Sequence, residues 1–346
     1  HLGSLASCPH HPHLPGDQAG PPWKGTELKL SSKTRAVTLS VTLAGTLALT
    51  ACGAANESGS DTAGSGSDAE QLSGELVGAG SSAQQAAMQA WQAGFSEVQP
   101  DVTVNYDPVG SGGGREQFIA GGTDFAGSDS PLDEEELTAA EERCGESGVF
   151  EIPNYISGIA VVYNLPGVDE LNLSPATIAG IFSGAITTWN DPAIAETNPD
   201  AELPSTAITA VHRSDDSGTT KNFTEYLSAA AGDVWTSEAD GEWPLPGGEA
   251  ANGTSGVISA VEGGEGTIGY ADASQAGDLG VANVGVGEEF VAPSPEAAAA
   301  VVQNSPRVEG RGEHDNVIEV NRDTTGSGEY PIVLVGYHIG CMEYED

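Results

Sequence analysis

The chain has 346 residues, long enough for more than one lobe of ~100–150 residues with its own core. Its 51 acidic against 11 basic residues give a formal charge of −40. That balance excludes the clustered positive charge that nucleic acid or an anionic membrane surface requires. Residues 1–27 are rich in His, Pro and Gly without apolar periodicity, and are read as an upstream extension foreign to the functional protein. His10, His11 and His13 form a short tract there, with no folded context for a metal.

From Lys29 the pattern becomes orderly. Lys29, Lys33 and Arg35 precede an apolar run, 36–48, too short to span a bilayer as a helix. The run closes on Leu49-Thr50-Ala51-Cys52-Gly53, which resembles the lipobox of bacterial lipoproteins. The resemblance implies a signal peptide over 28–51, cleavage before Cys52, and a lipid on Cys52 that holds the chain to the outer face of the cell membrane. Residues 52–74, mostly Gly, Ser, Asp and Glu beyond Asn56, read as a flexible tether. Cys8 lies in the extension and Cys52 is the lipid site, which leaves Cys144 and Cys341. In an oxidising compartment, with no metal-ligand spacing beside either, a Cys144–Cys341 disulfide is expected.

In the folded part, a strand ends at 76–77, a Gly/Ser turn follows at 78–82, and 83–95 is helical with Met88, Trp91 and Phe95 on one face. A strand over 102–106 leads through the glycine loop 110–114 into a helix over 115–120. Asp129 and Ser130 precede Pro131, which suits the first turn of a helix reaching Glu142. Residues 152–163 are a near-continuous apolar strand of the kind buried in a parallel sheet, and the chain crosses into a second lobe near its end. There, 174–182 is a capped helix, 188–192 starts another with Trp189 in the core, and 208–211 is a strand. Residues 252–256 open a helix over 257–261, and a strand at 267–270 follows. The chain returns with a helix at 296–302 and a strand at 331–337. Alternating strands and helices with two crossings predict an α/β protein of two hinged lobes: 75–161 with 265–346, and 162–264.

The most informative stretch is VHRSDDSGTTKNFTEY, 211–226. Ser217 or Thr219 can cap the helix that follows, Gly218 admits close backbone approach, and first-turn N–H groups present the positive end of the helix dipole. Arg213 adds a planar fork of donors suited to a tetrahedral oxyanion, and Asp215 is placed to tether it. Alone, this is equally a capped helix beside a surface arginine. Several glycine loops opening helices shift the balance toward helix ends converging on one anion. A secreted serine-type hydrolase, with Ser217 as nucleophile and His212 and Asp215 or Asp216 beside it, is the alternative from another class. No Gly-x-Ser-x-Gly elbow surrounds that serine, and no P-loop marks an ATPase.

The blocks GAGSS, YDPVGSGGGREQFIAGGTDFAGSDSPL, IFSGAITTWNDPAI, VHRSDDSGTTKNFTEYL, GTIGY and YPIVLV, in this order, resemble the phosphate-binding lipoproteins of bacterial phosphate ABC importers over residues 76–344. The resemblance implies a type II periplasmic-binding-protein fold with phosphate enclosed between two hinged lobes. It implies no catalysis and no cofactor. It also implies a monomer that delivers inorganic phosphate to transmembrane permease subunits. Carried over residue by residue, it assigns phosphate binding to Ser82, the backbone at Ala83, Ser111, Asp129, Arg213, Asp215, Ser217, Gly218 and Thr219. Ser82-Ala83 departs from the family's frequent Thr-Phe but keeps the hydroxyl. Family members continue with C-terminal helices packed on the first lobe, so exposed apolar surface is expected on that lobe. Asp129 argues against sulfate or molybdate as the ligand of a receptor for another oxyanion, while arsenate, protonated like phosphate, stays open.

Overall fold

The computed structural model describes residues 71–344. The extension 1–27, the segment 28–51 and Cys52 lie outside the described residues, as does the tether up to residue 70. In chain order the elements are β1 (Ser73–Gly80), α1 (Gln85–Val98), β2 (Asp101–Asp107), α2 (Ser111–Ile119), β3 (Phe125–Ser128), α3 (Glu134–Cys144) and the long β4 (Val149–Asn164). Then come β5 (Asn172–Leu173), α4 (Pro175–Phe182), α5 (Pro192–Thr197), β6 (Thr209–Arg213), α6 (Gly218–Ala231), β7 (Glu249–Ala251), α7 (Gly253–Gly263) and β8 (Thr267–Asp272). The chain closes with β9 (Gly280–Val281), β10 (Asn283–Val286), β11 (Glu289–Val291), α8 (Pro295–Gln303) and β12 (Val333–Cys341).

The described strands form a mixed sheet in the order β2-β1-β3-β12-β4-β8-β6-β7, with β9 beside β4, and a small sheet β11-β10-β5. β1 pairs parallel with β2 and β3, and β6 pairs parallel with β7 and β8. Helices join these parallel strands, so each strand end feeds a helix N-terminus on the same side. β4 links the two parallel groups. Its first part pairs with β12 and its last six residues, Ile159 to Asn164, with β8. Both pairings are antiparallel, which corrects the expectation of a parallel-sheet strand. The apolar run misled because it serves two purposes: the later residues are buried in succession, while Ile152 and Ile156 face outward.

Two helix starts also differ from expectation. α2 begins at Ser111 and takes in the glycines read as a loop. Those glycines serve close packing, since a Cβ on Gly114 would lie 2.4 Å from Gly80 Cα. α3 begins only at Glu134, because Asp133 closes a capping box with Glu136. Pro131 therefore precedes the helix.

The core includes the fully buried Trp189, Tyr163, Tyr226, Phe223, Tyr330 and Tyr337. Phe223 of α6 stacks on Tyr270 of β8 at 4.4 Å and meets Phe182 of α4 edge-on at 4.8 Å. These aromatic contacts hold α6 over the sheet with its N-terminus at the strand ends. On another face, Leu76, Trp91, Phe95, Ile152, His338 and Tyr344 line an apolar groove of about 820 Å³. Cys144, ending α3, is disulfide-bonded to Cys341, ending β12. Among the described residues no helix is long and apolar enough to cross a membrane.

Candidate anion-binding site

Strand ends β1, β3 and β6 bring together the starts of α1, α2, α6 and α7. After β1, Ser81 Oγ accepts from the backbone N–H groups of Ala83 (3.1 Å) and Gln84 (3.4 Å), a turn that fixes the following Ser82. Ser82 Oγ lies 3.1 Å from Thr254 Oγ1 and accepts from Thr254 N at 3.0 Å, so the first loop meets the first turn of α7 directly. Gln275 Nε2 donates to the carbonyls of Ser82 (3.2 Å) and Ala83 (3.0 Å) from the turn that follows β8. Ser111 Oγ, in the first turn of α2, accepts from Asp129 N at 3.1 Å.

Asp129 is the centre of this arrangement and is 3% exposed. Thr219 Oγ1, from the first turn of α6, donates to its Oδ2 at 3.1 Å, and Gln84 Nε2 lies 3.4 Å from its Oδ1. Burial pushes the Asp129 carboxyl above the usual range, against hydrogen bonds from Ser81 and Thr219 and the Arg213 charge, which pull it down. Ser217 is the N-cap of α6, its Oγ accepting from Thr220 N at 3.2 Å. Gly218 is required by space: a Cβ there would lie 2.6 Å from Ser111 Oγ and 2.8 Å from Asp129 Cβ. α2, α6 and the end of β3 thus meet across one glycine.

Arg213 ends β6 and is 2% exposed. Its Nε donates to Asp215 Oδ1 at 2.8 Å and its Nη2 to Asp215 Oδ2, a two-pronged tether. Asp215 Oδ1 also accepts from Gly253 N at 3.1 Å, at the start of α7. Burial opposes ionisation of Asp215, and the hydrogen bonds and charge of Arg213 outweigh it, holding its carboxyl below the usual range. The nine residues singled out from sequence therefore fall into one connected, largely buried cluster. Their hydroxyls, backbone N–H groups and one guanidinium are chemically able to donate to an oxyanion, and the carboxylates of Asp129 and Asp215 accept.

Some participants carried no recognised signal. Thr254 lies in the first turn of α7 in a stretch read only as a helix start, Gln84 and Gln275 bond the site loops from positions with no motif of their own, and Asn222 sits within the 211–226 stretch without having been given a role. The hydrolase alternative fails on geometry. His212 places Nδ1 2.9 Å from Arg213 O and Nε2 3.1 Å from Gly247 O, and stacks on Trp243, while Ser217 Oγ serves as a helix cap. The required nucleophile–base hydrogen bond does not exist between them.

The chain is similar to known proteins along most of its length. The model of the PBP superfamily domain matches residues 58–345. The phosphate-binding protein PstS 2 of Mycobacterium tuberculosis is 37% identical over 318 residues, covering 89% of this chain and 85% of the relative. The chain belongs to the PstS phosphate-binding protein family. Among solved structures, a high-affinity periplasmic phosphate-binding protein, PfluDING, bound with phosphate, superposes with a TM-score of 0.64. It is 23% identical and covers 79% of this chain and 82% of its own. A putative phosphate ABC transporter substrate-binding protein with bound phosphate from Clostridium perfringens has a TM-score of 0.56 at 20% identity, covering 79% and 89%. These likenesses show that the fold is of the type II periplasmic-binding-protein kind.

Proposed function

We propose that this chain binds inorganic phosphate outside the cytoplasmic membrane and delivers it to the permease of an ABC importer. The observation that carries the reading is a buried carboxylate, Asp129, set among helix N-termini in one cluster with Arg213, which Asp215 tethers. At neutral pH phosphate keeps at least one proton, whereas sulfate keeps none. A buried acceptor takes a hydrogen bond from P–OH but meets only lone pairs on sulfate, a penalty of about 1–3 kcal/mol or more in a dry site. Arg213, Ser82, Ser111, Ser217, Thr219 and the N–H groups at Ala83 and Gly218 supply the attraction. With so negative a chain, recognition rests on these local donors rather than on long-range steering.

In this reading residues 75–161 and 265–346 form one lobe, 162–264 the other, and phosphate draws them together as the closed form that a permease senses. The Cys52 lipid would keep the receptor, as a monomer, at the outer face of the cell membrane. Small-angle scattering of the purified chain with and without phosphate tests this. The reading expects a smaller radius of gyration with phosphate and no change with sulfate. Equal radii in all three samples would count against closure on phosphate.

A further inference from the structure

Behind the anion site lies a cavity of about 660 Å³ whose wall includes Asp129, Asn222, Arg322, Asn304, Val317 and Tyr337. Asp129 borders this space yet is 3% exposed. Asn222, in the second turn of α6, is what stands beside it. Its Nδ2 donates to Asp129 O at 2.7 Å and to Gly218 O at 2.8 Å, and its Oδ1 accepts from Arg322 Nη2. Arg322 is itself buried and held on its other sides, donating through Nη1 to Val333 O of β12 at 2.8 Å and through Nε to Glu225 Oε2 at 3.1 Å.

These bonds join the proposed lobes, since Asn222 and Glu225 come from α6 whereas Asp129, Arg322 and Val333 lie on the other side. They also account for two buried side chains, Asn222 and Arg322, that are not themselves among the proposed anion-facing groups. We propose that Asn222, pinned by Arg322, closes the seam at Asp129 between the rear cavity and the anion site, and that this plug is a determinant of oxyanion selectivity. The inference rests on the phosphate reading. Its logic is dielectric: a carboxylate rejects an unprotonated anion strongly only while water is kept away. Removing Asn222 strips a donor from Asp129 O, opens a path from the cavity, and loosens the seat of α6. Asn222 and Arg322 act through Asp129 and are positioning residues.

The test compares the wild type with Asn222→Ala, Arg322→Met and the double variant, using radiolabelled phosphate binding and competition by sulfate, with thermal melting to establish folding. In Asn222→Ala phosphate affinity should fall about tenfold or more, and the preference for phosphate over sulfate should fall about tenfold. Arg322→Met keeps an apolar stem in place and leaves Glu225 to solvent. It should move both quantities in the same direction by less, and the double variant should be no worse than Asn222→Ala alone, because one unit is being removed. A loss confined to the melting temperature, with the phosphate-to-sulfate preference unchanged in a folded variant, overturns the plug. Should Asn222→Ala not fold, the preference measured in Arg322→Met decides in the same way. A wild type that binds no phosphate overturns the functional reading and the plug together, whereas a binding wild type with unaltered variants overturns the plug alone.

Discussion

Around Asp129 the chain buries polar side chains, and around Trp91 it leaves large apolar ones open to solvent. Ser82, Ser111, Asp129, Arg213, Ser217 and Thr219 are all nearly inaccessible, while Trp91 is 38% and Ile152 47% exposed beside the apolar groove. Each region inverts the usual distribution. In the first, the desolvation cost is offset by a network of donors and acceptors, the condition under which buried polar groups persist. In the second, order comes from edge-on aromatic contacts, Trp91 to Tyr155 at 6.3 Å and to His338 at 5.7 Å, and from the Cys144–Cys341 bridge at the end of β12. The difference separates two kinds of sensitivity: ligand binding should depend on the first region and thermal stability on the second.

The largest expected effect that would sharpen this contrast is Arg213→Met. It removes the guanidinium tethered to Asp215 and leaves that carboxylate without its charged partner, so phosphate affinity should drop by about 100-fold or more in titration calorimetry. Next is Asp129→Asn, which retains size but turns an acceptor into a mixed group. Its phosphate-to-sulfate preference should fall about 10- to 100-fold. This variant also carries a pH signature. Burial raises the Asp129 carboxyl above its ordinary 3.8, so the ligand-free fold holds its proton more tightly than the unfolded chain does. The stability contributed by that proton is complete below 3.8 and is lost as pH rises through the raised value. Urea denaturation of Asp129→Asn without ligand should therefore show a shallower decline over that window than the wild type.

Cys341→Ser addresses the second region. Opening a bridge that joins residues 197 positions apart should cost about 2–5 kcal/mol of stability while phosphate affinity of the folded fraction stays within about twofold. The smallest effect is expected of His338→Phe. Burial lowers the His338 imidazole from 6.5 to about 4, so the unfolded chain binds the proton better between those values. The stability this neutral histidine contributes is present above 6.5 and is lost as pH falls toward about 4. Phe removes that dependence, and its melting temperature should exceed the wild type's by a few degrees at pH 5 but not at pH 8. A stability change in Arg213→Met larger than in Cys341→Ser, or a binding change in His338→Phe, would break the contrast between the regions.

Much of the site was legible because its parts are local in sequence. Ser217, Gly218 and Thr219 follow Arg213 and Asp215 within one turn of chain, and capping chemistry announces itself from adjacent residues. The helical elements were visible for the same reason, and the Ser174 and Asp191 caps mark α4 and α5. What stayed hidden depends on distant approach. The glycines of α2 look like a loop until Gly114 is seen against Gly80, and β4 looks parallel until β12 and β8 are seen beside it. Asn222 and Arg322 are one hundred residues apart and make sense only as a pair. The short strands β5, β10 and β11 have too few residues for an alternation to register.

The most direct measurement is calorimetric titration of the purified chain with phosphate and, separately, with sulfate at neutral pH. The account predicts tight binding of one phosphate per chain and no detectable heat from sulfate. Equal affinity for the two anions, or no phosphate binding by a chain that circular dichroism shows to be folded, would contradict a buried Asp129 acceptor selecting a protonated oxyanion.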